Sequence, residues 1–254
     1  MRRRDLIAGA GAVVVASAFQ RAGAESASSA TVSGARAIVN GREIRLSDIL
    51  APAMAGGRAD PYAAQFQRAL ADTLSHPVRA EESGAADRWN RPFTRLYVEH
   101  QRGVMLATAQ ERLVACGAAR TLPESSDHAF IRRLLLLEEA ARRTRIGLWG
   151  LAPYRVHPAD DARRAVGDYN LVEGAPVTAV KRGGRVYLNF GDDYRKDFTA
   201  SAKSGLARAW AKTGLDLETL AGAPLRIRGH VAWINGPSID LTHPLQIELL
   251  KQAA

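Results

Sequence analysis

Residues 32 to 53 read VSGARAIVNGREIRLSDILAPA, and the chain is best read outward from this stretch. Two short apolar runs meet at Asn40-Gly41, a pair that readily takes the positive φ angles of a tight two-residue turn. Ile38, Val39 and Ile44 flank it, so the sequence predicts a β-hairpin with Arg45 and Leu46 on its second strand.

Upstream, Arg3-Arg4-Asp5-Leu6-Ile7 looks like a twin-arginine export motif, followed by an apolar run from Leu6 to Phe19 and a small-x-small site at Ala22-Gly23-Ala24. The run is shorter than the roughly 18 to 20 residues that span a bilayer. Residues 1 to 24 are therefore expected to be a signal peptide, and the mature chain to be periplasmic or secreted with no transmembrane segment. Loss of that leader removes four arginines and one aspartate, so the net charge falls from +9 to +6, with more of the excess after residue 161. A mild basic balance suits a polyanion partner and suits solubility equally. Cys116 is the only cysteine, which excludes an intramolecular disulfide, and its neighbours Leu113, Val114 and Ala118 suggest a buried thiol. Neither a C-x-x-C pair nor a His-x-x-x-His spacing supports a zinc site.

The hairpin stretch resembles the signature segment of the thermonuclease (staphylococcal-nuclease-like) family, with Gly34, Arg45, Leu46, Ile49 and Pro52 in the frame of that pattern. Arg91, in Asp87-Arg88-Trp89-Asn90-Arg91, stands where the family has its second phosphate-clamping arginine. The acids of the pattern are missing. The resemblance puts the metal-holding carboxylates at Ala35 and Leu50 and the general base at Ala53. Calcium takes about six to eight oxygen ligands, and aliphatic side chains supply none. A general base must reach the proton it removes, and Ala53 has nothing to reach with. The resemblance thus implies phosphate binding by Arg45 and Arg91, no confident catalytic residue, no metal site and no cofactor, with Ca²⁺ expected only where the acids are present.

Three helices should accompany this barrel. The first runs from Pro61 to about Leu74 behind Asp60 as cap, with Phe66, Leu70 and Leu74 inward. A second is expected from Met105 to about Ala119. A third starts from a cap among Ser125, Ser126 and Asp127, runs to Ile146 and buries Phe130, Leu134, Leu137 and Ala141. Between them, Pro77 to Glu81 and Arg91 to His100 read as strands. Gly147-Leu148-Trp149 resembles the closing signature of the same family, so the likeness covers residues 31 to 150. Residues 151 to 167 contain Pro153 and Pro158 and a charged run, and are expected to be a linker.

Residues 168 to 254 are β-rich, with a hairpin at Gly183-Gly184, a short helix from Leu206 to Lys212, and strands at Leu225 to Ile234 and Ser238 to Leu241. Five or so strands with one helix after the third is the order of an OB-type barrel. Such barrels bind single strands through aromatic and cationic groups. Arg182, Arg185, Tyr187, Arg226 and Arg228 are the candidate strand-binding residues, while alternation puts Phe190 and Phe198 in the core.

The fold class expected is α+β, a thermonuclease-like OB barrel with three helices followed by a second small OB-like β-barrel. The function expected is a catalytically degenerate protein binding nucleic acid or another phosphate-bearing polyanion. The alternatives are an active phosphodiesterase or nuclease that recruits Asp48 and Asp87, and a protein-binding envelope module in which Arg45 and Arg91 only hold the fold.

Overall fold

A computed structural model describes residues 30–33, 36–52, 62–100, 104–193 and 195–251. The leader, Gly34, Ala35, Ala53 and the Asp60-Pro61 cap lie outside the described residues.

The first barrel opens with β1 (Ala30–Ser33), β2 (Arg36–Val39) and β3 (Arg42–Leu46), and the β2–β3 turn is the expected one: Asn40 and Gly41 have φ of 50° and 78°, and Val39 pairs with Arg42. After β4 (Ile49–Leu50) comes α1 (Ala63–Leu74), which buries Phe66, Leu70 and Leu74 against the sheet. Then follow β5 (Val78–Ala86), β6 (Pro92–His100) and β7 (Val104–Thr108). The sheet order is β1-β2-β3-β6-β5, with β3 and β6 parallel and β7 added to β6. Strand β6 alternates cleanly: Thr94, Leu96 and Val98 are buried, and Phe93, Arg95 and Tyr97 line the other face.

The helix expected from Met105 to Ala119 is mostly not helix. Backbone pairing with β6, Val98 to Ala107 and Tyr97 to Thr108, holds the first part as β7. Thr108 and Glu111 then form a capping box that starts α2 (Ala109–Ala115). Cys116 follows as its C-cap and is exposed, not buried. Beyond β8 (Arg120–Thr121), Asp127 caps α3 (His128–Arg143), accepting from the Phe130 N–H at 3.0 Å. Gly117 and Gly147 close the two helices against each other. Leu148 N–H donates to Gly117 O at 2.8 Å, and a Cβ on Gly117 would lie 2.2 Å from Ile146 O. Only glycine allows that approach, and its φ of 66° favours glycine as well.

The segment expected as a linker is folded. β9 (His157–Pro158) pairs parallel with β10 (Tyr169–Gly174), and a 3₁₀ segment over Ala159–Ala165 places Ala162 and Ala165 in the second core. Alanines three apart share one side of a three-residue turn, which gives this charged run a buried face. The remaining elements are β11 (Thr178–Arg182), β12 (Arg185–Asn189), β13 (Thr199–Lys203), α4 (Ser204–Ala211), β14 (Leu225–Trp233), β15 (Pro237–Leu241) and β16 (Ile247–Leu249). Their order is β11-β12-β13-β15-β14-β10-β9, with β13 and β15 parallel. β10 and β11 act as successive halves of one long strand, pairing with β14 and β12 in turn, and α4 separates β13 from β14. This is the OB-type order, as expected. Among the described residues no helix is long and apolar enough to cross a membrane.

The two barrels meet through α3. Glu138 and Arg228 are each 1% exposed and bonded at 2.5 Å, and Arg228 also holds Glu248. Arg226 contacts Glu173, Glu139 and Glu248 at 2.6, 3.0 and 3.3 Å. Tyr169 donates to Thr121 O at 2.9 Å beside them.

Candidate functional site

The parallel pairing of β3 with β6 puts Arg45 beside Phe93, so Arg91 and Arg95, two residues either side of Phe93, share its face. The sequence motif therefore assembles three arginines on one wall. Each is engaged. Arg45 Nη2 donates to both oxygens of Glu124 at 2.9 Å, with its guanidinium 4.7 Å from the Phe93 ring centroid. Arg91 donates to Asp87 Oδ2 through Nε at 2.7 Å and to Glu43 Oε1 through Nη1 at 2.9 Å. Arg95 reaches Asp127 Oδ2 at 2.9 Å. Arg36 adds a contact to Glu43 at 3.3 Å, so four arginines face the four carboxyl groups of Glu43, Asp87, Glu124 and Asp127.

Asp87 is placed by its own turn. Its Oδ1 accepts the N–H groups of Trp89 and Arg91, both at 3.0 Å, which folds the β5–β6 connection and leaves Trp89 60% exposed. Burial alone would raise the Asp87 carboxyl, but the bonds from the Arg91 guanidinium and the two N–H groups hold it below its ordinary value. Glu124 goes the other way. Desolvation by burial pushes it up to about 7, Arg45 opposes that rise and the Asp48 charge adds to it.

Asp48 is fully buried at φ 61°, and its Oδ1 accepts from the N–H groups of Glu124 at 3.2 Å and Ser125 at 2.8 Å. It fastens the β3–β4 turn to the approach of α3 and does not face solvent. Asp87, the other acid considered for recruitment, is already bound to Arg91. Leu50 is buried and pairs with Arg120 between β4 and β8. Among the described residues no three His, Cys, Asp or Glu side chains converge. An aliphatic Leu50 in this setting does not fit a calcium ion, which needs carboxylate oxygens.

In the second barrel the candidates divide. Arg226 and Arg228, read as part of a strand-binding face, are 8% and 1% exposed and point into the seam with α3. That placement corrects the expectation, because alternation fixes which residues share a face and says nothing of what covers it. Arg182, Arg185 and Tyr187 do lie on an outer face, that of β11 and β12, where Val186 and Leu188 point inward. Lys203 joins them from β13, directly opposite Arg185. Sequence reasoning missed Lys203 and the carboxylates Glu43, Glu124 and Asp127. Alternation in β3 puts Glu43 on the face of Arg45, so that one was within reach of local pattern.

Residues 43–150 match the family model described as staphylococcal nuclease homologue. No curated protein matches the chain.

Proposed function

We propose that the chain, whose residues 43–150 match the staphylococcal nuclease homologue family model, binds nucleic acid or another phosphate polyanion without cleaving it. The family match supports a polyanion ligand, and the paired wall supports the absence of cleavage. Arg45 and Arg91 bond to internal carboxylates, and the resemblance puts Leu50 where the family has an acid, which supports a wall that does not hydrolyse phosphodiesters. A phosphate at Arg45 must displace Glu124, which burial already holds near neutrality. The leader motif extends the proposal to export into the periplasm or beyond.

A protein partner is the second reading. Leu136 and Leu249, 71% and 63% exposed, border a groove of about 610 Å³ between α3 and β16. The deciding experiment incubates the mature chain with DNA and RNA in Ca²⁺ and Mg²⁺, alongside binding measured at low salt. Binding without cleavage is expected. Calcium-dependent cleavage abolished by Asp48→Asn would replace this reading with a recruited-acid nuclease, and absence of any polyanion binding would favour the protein partner.

A further inference from the structure

The outer face of the second barrel is arranged in cross-strand rows. Arg182 pairs with Arg185, and Arg185 with Lys203, so three cations on β11, β12 and β13 stand in line. With strands about 4.8 Å apart, the row spans about 10 Å. Like charges directly opposite one another destabilise a sheet, so the row costs the fold stability that only its Arg185 partners offset. Of the three, only Arg185 has a carboxylate partner among the described residues, Asp240, which is 60% exposed; Arg185 also bonds Ser201.

The next row is Val180, Tyr187, Ser201 and Asp240, placing a half-buried phenol ring and a 44% exposed valine beside the cations. The third is Thr178, Asn189, Thr199 and Ser238, where Asn189 Nδ2 donates to Thr178 Oγ1 at 2.9 Å. At the cationic end the Gly183-Gly184 turn adds no side chain. Trp233, 59% exposed at the end of β14, pairs with Pro237 on the face of Val231 and Ile239 and so does not join these rows. A polyanion without rings would need only the first row. Cations in line beside the Tyr187 ring offer contacts to both the phosphates and a base of a single strand.

We propose that the outer face of β11, β12 and β13 binds single-stranded nucleic acid, with Arg182, Arg185 and Lys203 on phosphates and Tyr187 against a base. This rests on the polyanion reading above and moves the site away from the wall of Arg45. In the first barrel the cations are matched by acids, whereas here Asp240 alone faces three of them.

The test uses the full mature chain, fluorescence anisotropy with an oligothymidylate of about 12 nucleotides, and inorganic polyphosphate as a second probe. Arg182→Ala and Lys203→Ala should each lower the log-log salt slope by about 0.7, and Arg45→Ala should leave it unchanged. Tyr187→Ala should weaken the oligonucleotide roughly tenfold and polyphosphate not at all, with Tyr187→Phe restoring binding. Loss of binding in Arg45→Ala and Arg91→Ala, with Arg182→Ala and Lys203→Ala silent, would overturn this site and keep the polyanion reading. Cation variants that weaken both probes while Tyr187→Ala weakens neither would make the face a general polyanion surface and defeat the nucleic-acid assignment. A wild type that binds neither probe at low salt would remove the polyanion reading itself.

Discussion

Arginines meet carboxylates in two regions, the wall of the first barrel and the seam between α3 and the second barrel, and α3 or its approach supplies acids to both. Glu124 and Asp127 reach back to Arg45 and Arg95, while Glu138 and Glu139 reach across to Arg228 and Arg226. The chemistry is the same and the solvent differs. At the wall Arg45 and Glu124 are 16% and 26% exposed; at the seam Arg228 and Glu138 are each 1% exposed. Water can take over either partner at the wall if the pair separates, but at the seam it cannot. The seam therefore ties the two barrels together, and the wall pairs chiefly mask positive charge.

The sharpest way to break that contrast is to remove one partner from each region. Arg228→Ala should destabilise the chain by about 3 to 5 kcal/mol, because Glu138 would be left buried without its counter-charge, while Glu248 keeps Arg226. Arg45→Ala should cost about 1 kcal/mol or less. Urea unfolding of both variants measures the difference. Replacing Arg228 and Glu138 together with Met and Leu should recover most of the loss, since the penalty lies in the orphaned charge. Equal losses for Arg228→Ala and Arg45→Ala would mean that the seam is wet and the contrast false.

The sequence made local geometry legible and long-range partners illegible. Asn40-Gly41 specifies its turn through backbone preference alone, and the alternation from Arg91 to His100 gives the buried face of β6 correctly. Both depend on neighbours in the chain. Arg45 and Glu124 are 79 residues apart, and no periodicity links them. The segment after Met105 misled because its apolar residues fit a helix, while the open edge of β6 supplied a strand partner that only the fold reveals. The alanines at 159, 162 and 165 were hidden inside a charged run for a similar reason: their partner surface, the second core, is assembled by residues far along the chain.

A smaller effect separates two roles within one residue at the wall. Asp127 caps α3 and pairs with Arg95. Asp127→Ala should cost about 1 kcal/mol through the cap, and Asp127→Asn, which keeps an accepting oxygen, only a few tenths. The Phe130 N–H chiefly depresses the Asp127 carboxyl, so its contribution is present above the ordinary value of 3.8 and fades as pH falls through the lower folded value. An equal loss in both variants, read from unfolding midpoints, would show that the Arg95 pair matters more than half-exposed pairs at the wall should.

The smallest expected effect is a pH dependence at the wall, and its sign is opposite to that of Asp127. Burial raises Glu124 from an ordinary 4.5 to about 7 despite Arg45. Between those values the folded chain keeps a proton that the unfolded chain releases, so the slope of stability against pH is negative there. The contribution is complete below 4.5 and is lost as pH rises through 7. With 26% of the side chain in water, screening limits it to about 1 kcal/mol. Glu124→Gln keeps an oxygen for Arg45 and removes both the titration and the repulsion from Asp48. Its unfolding midpoint should therefore change less than that of the wild type between about pH 5 and pH 8, with the variant gaining relative stability at the upper end. Identical profiles would mean that water reaches Glu124 freely, so that Glu124 is fully ionised at neutral pH and holds Arg45 against an external phosphate more firmly than a half-protonated carboxyl would.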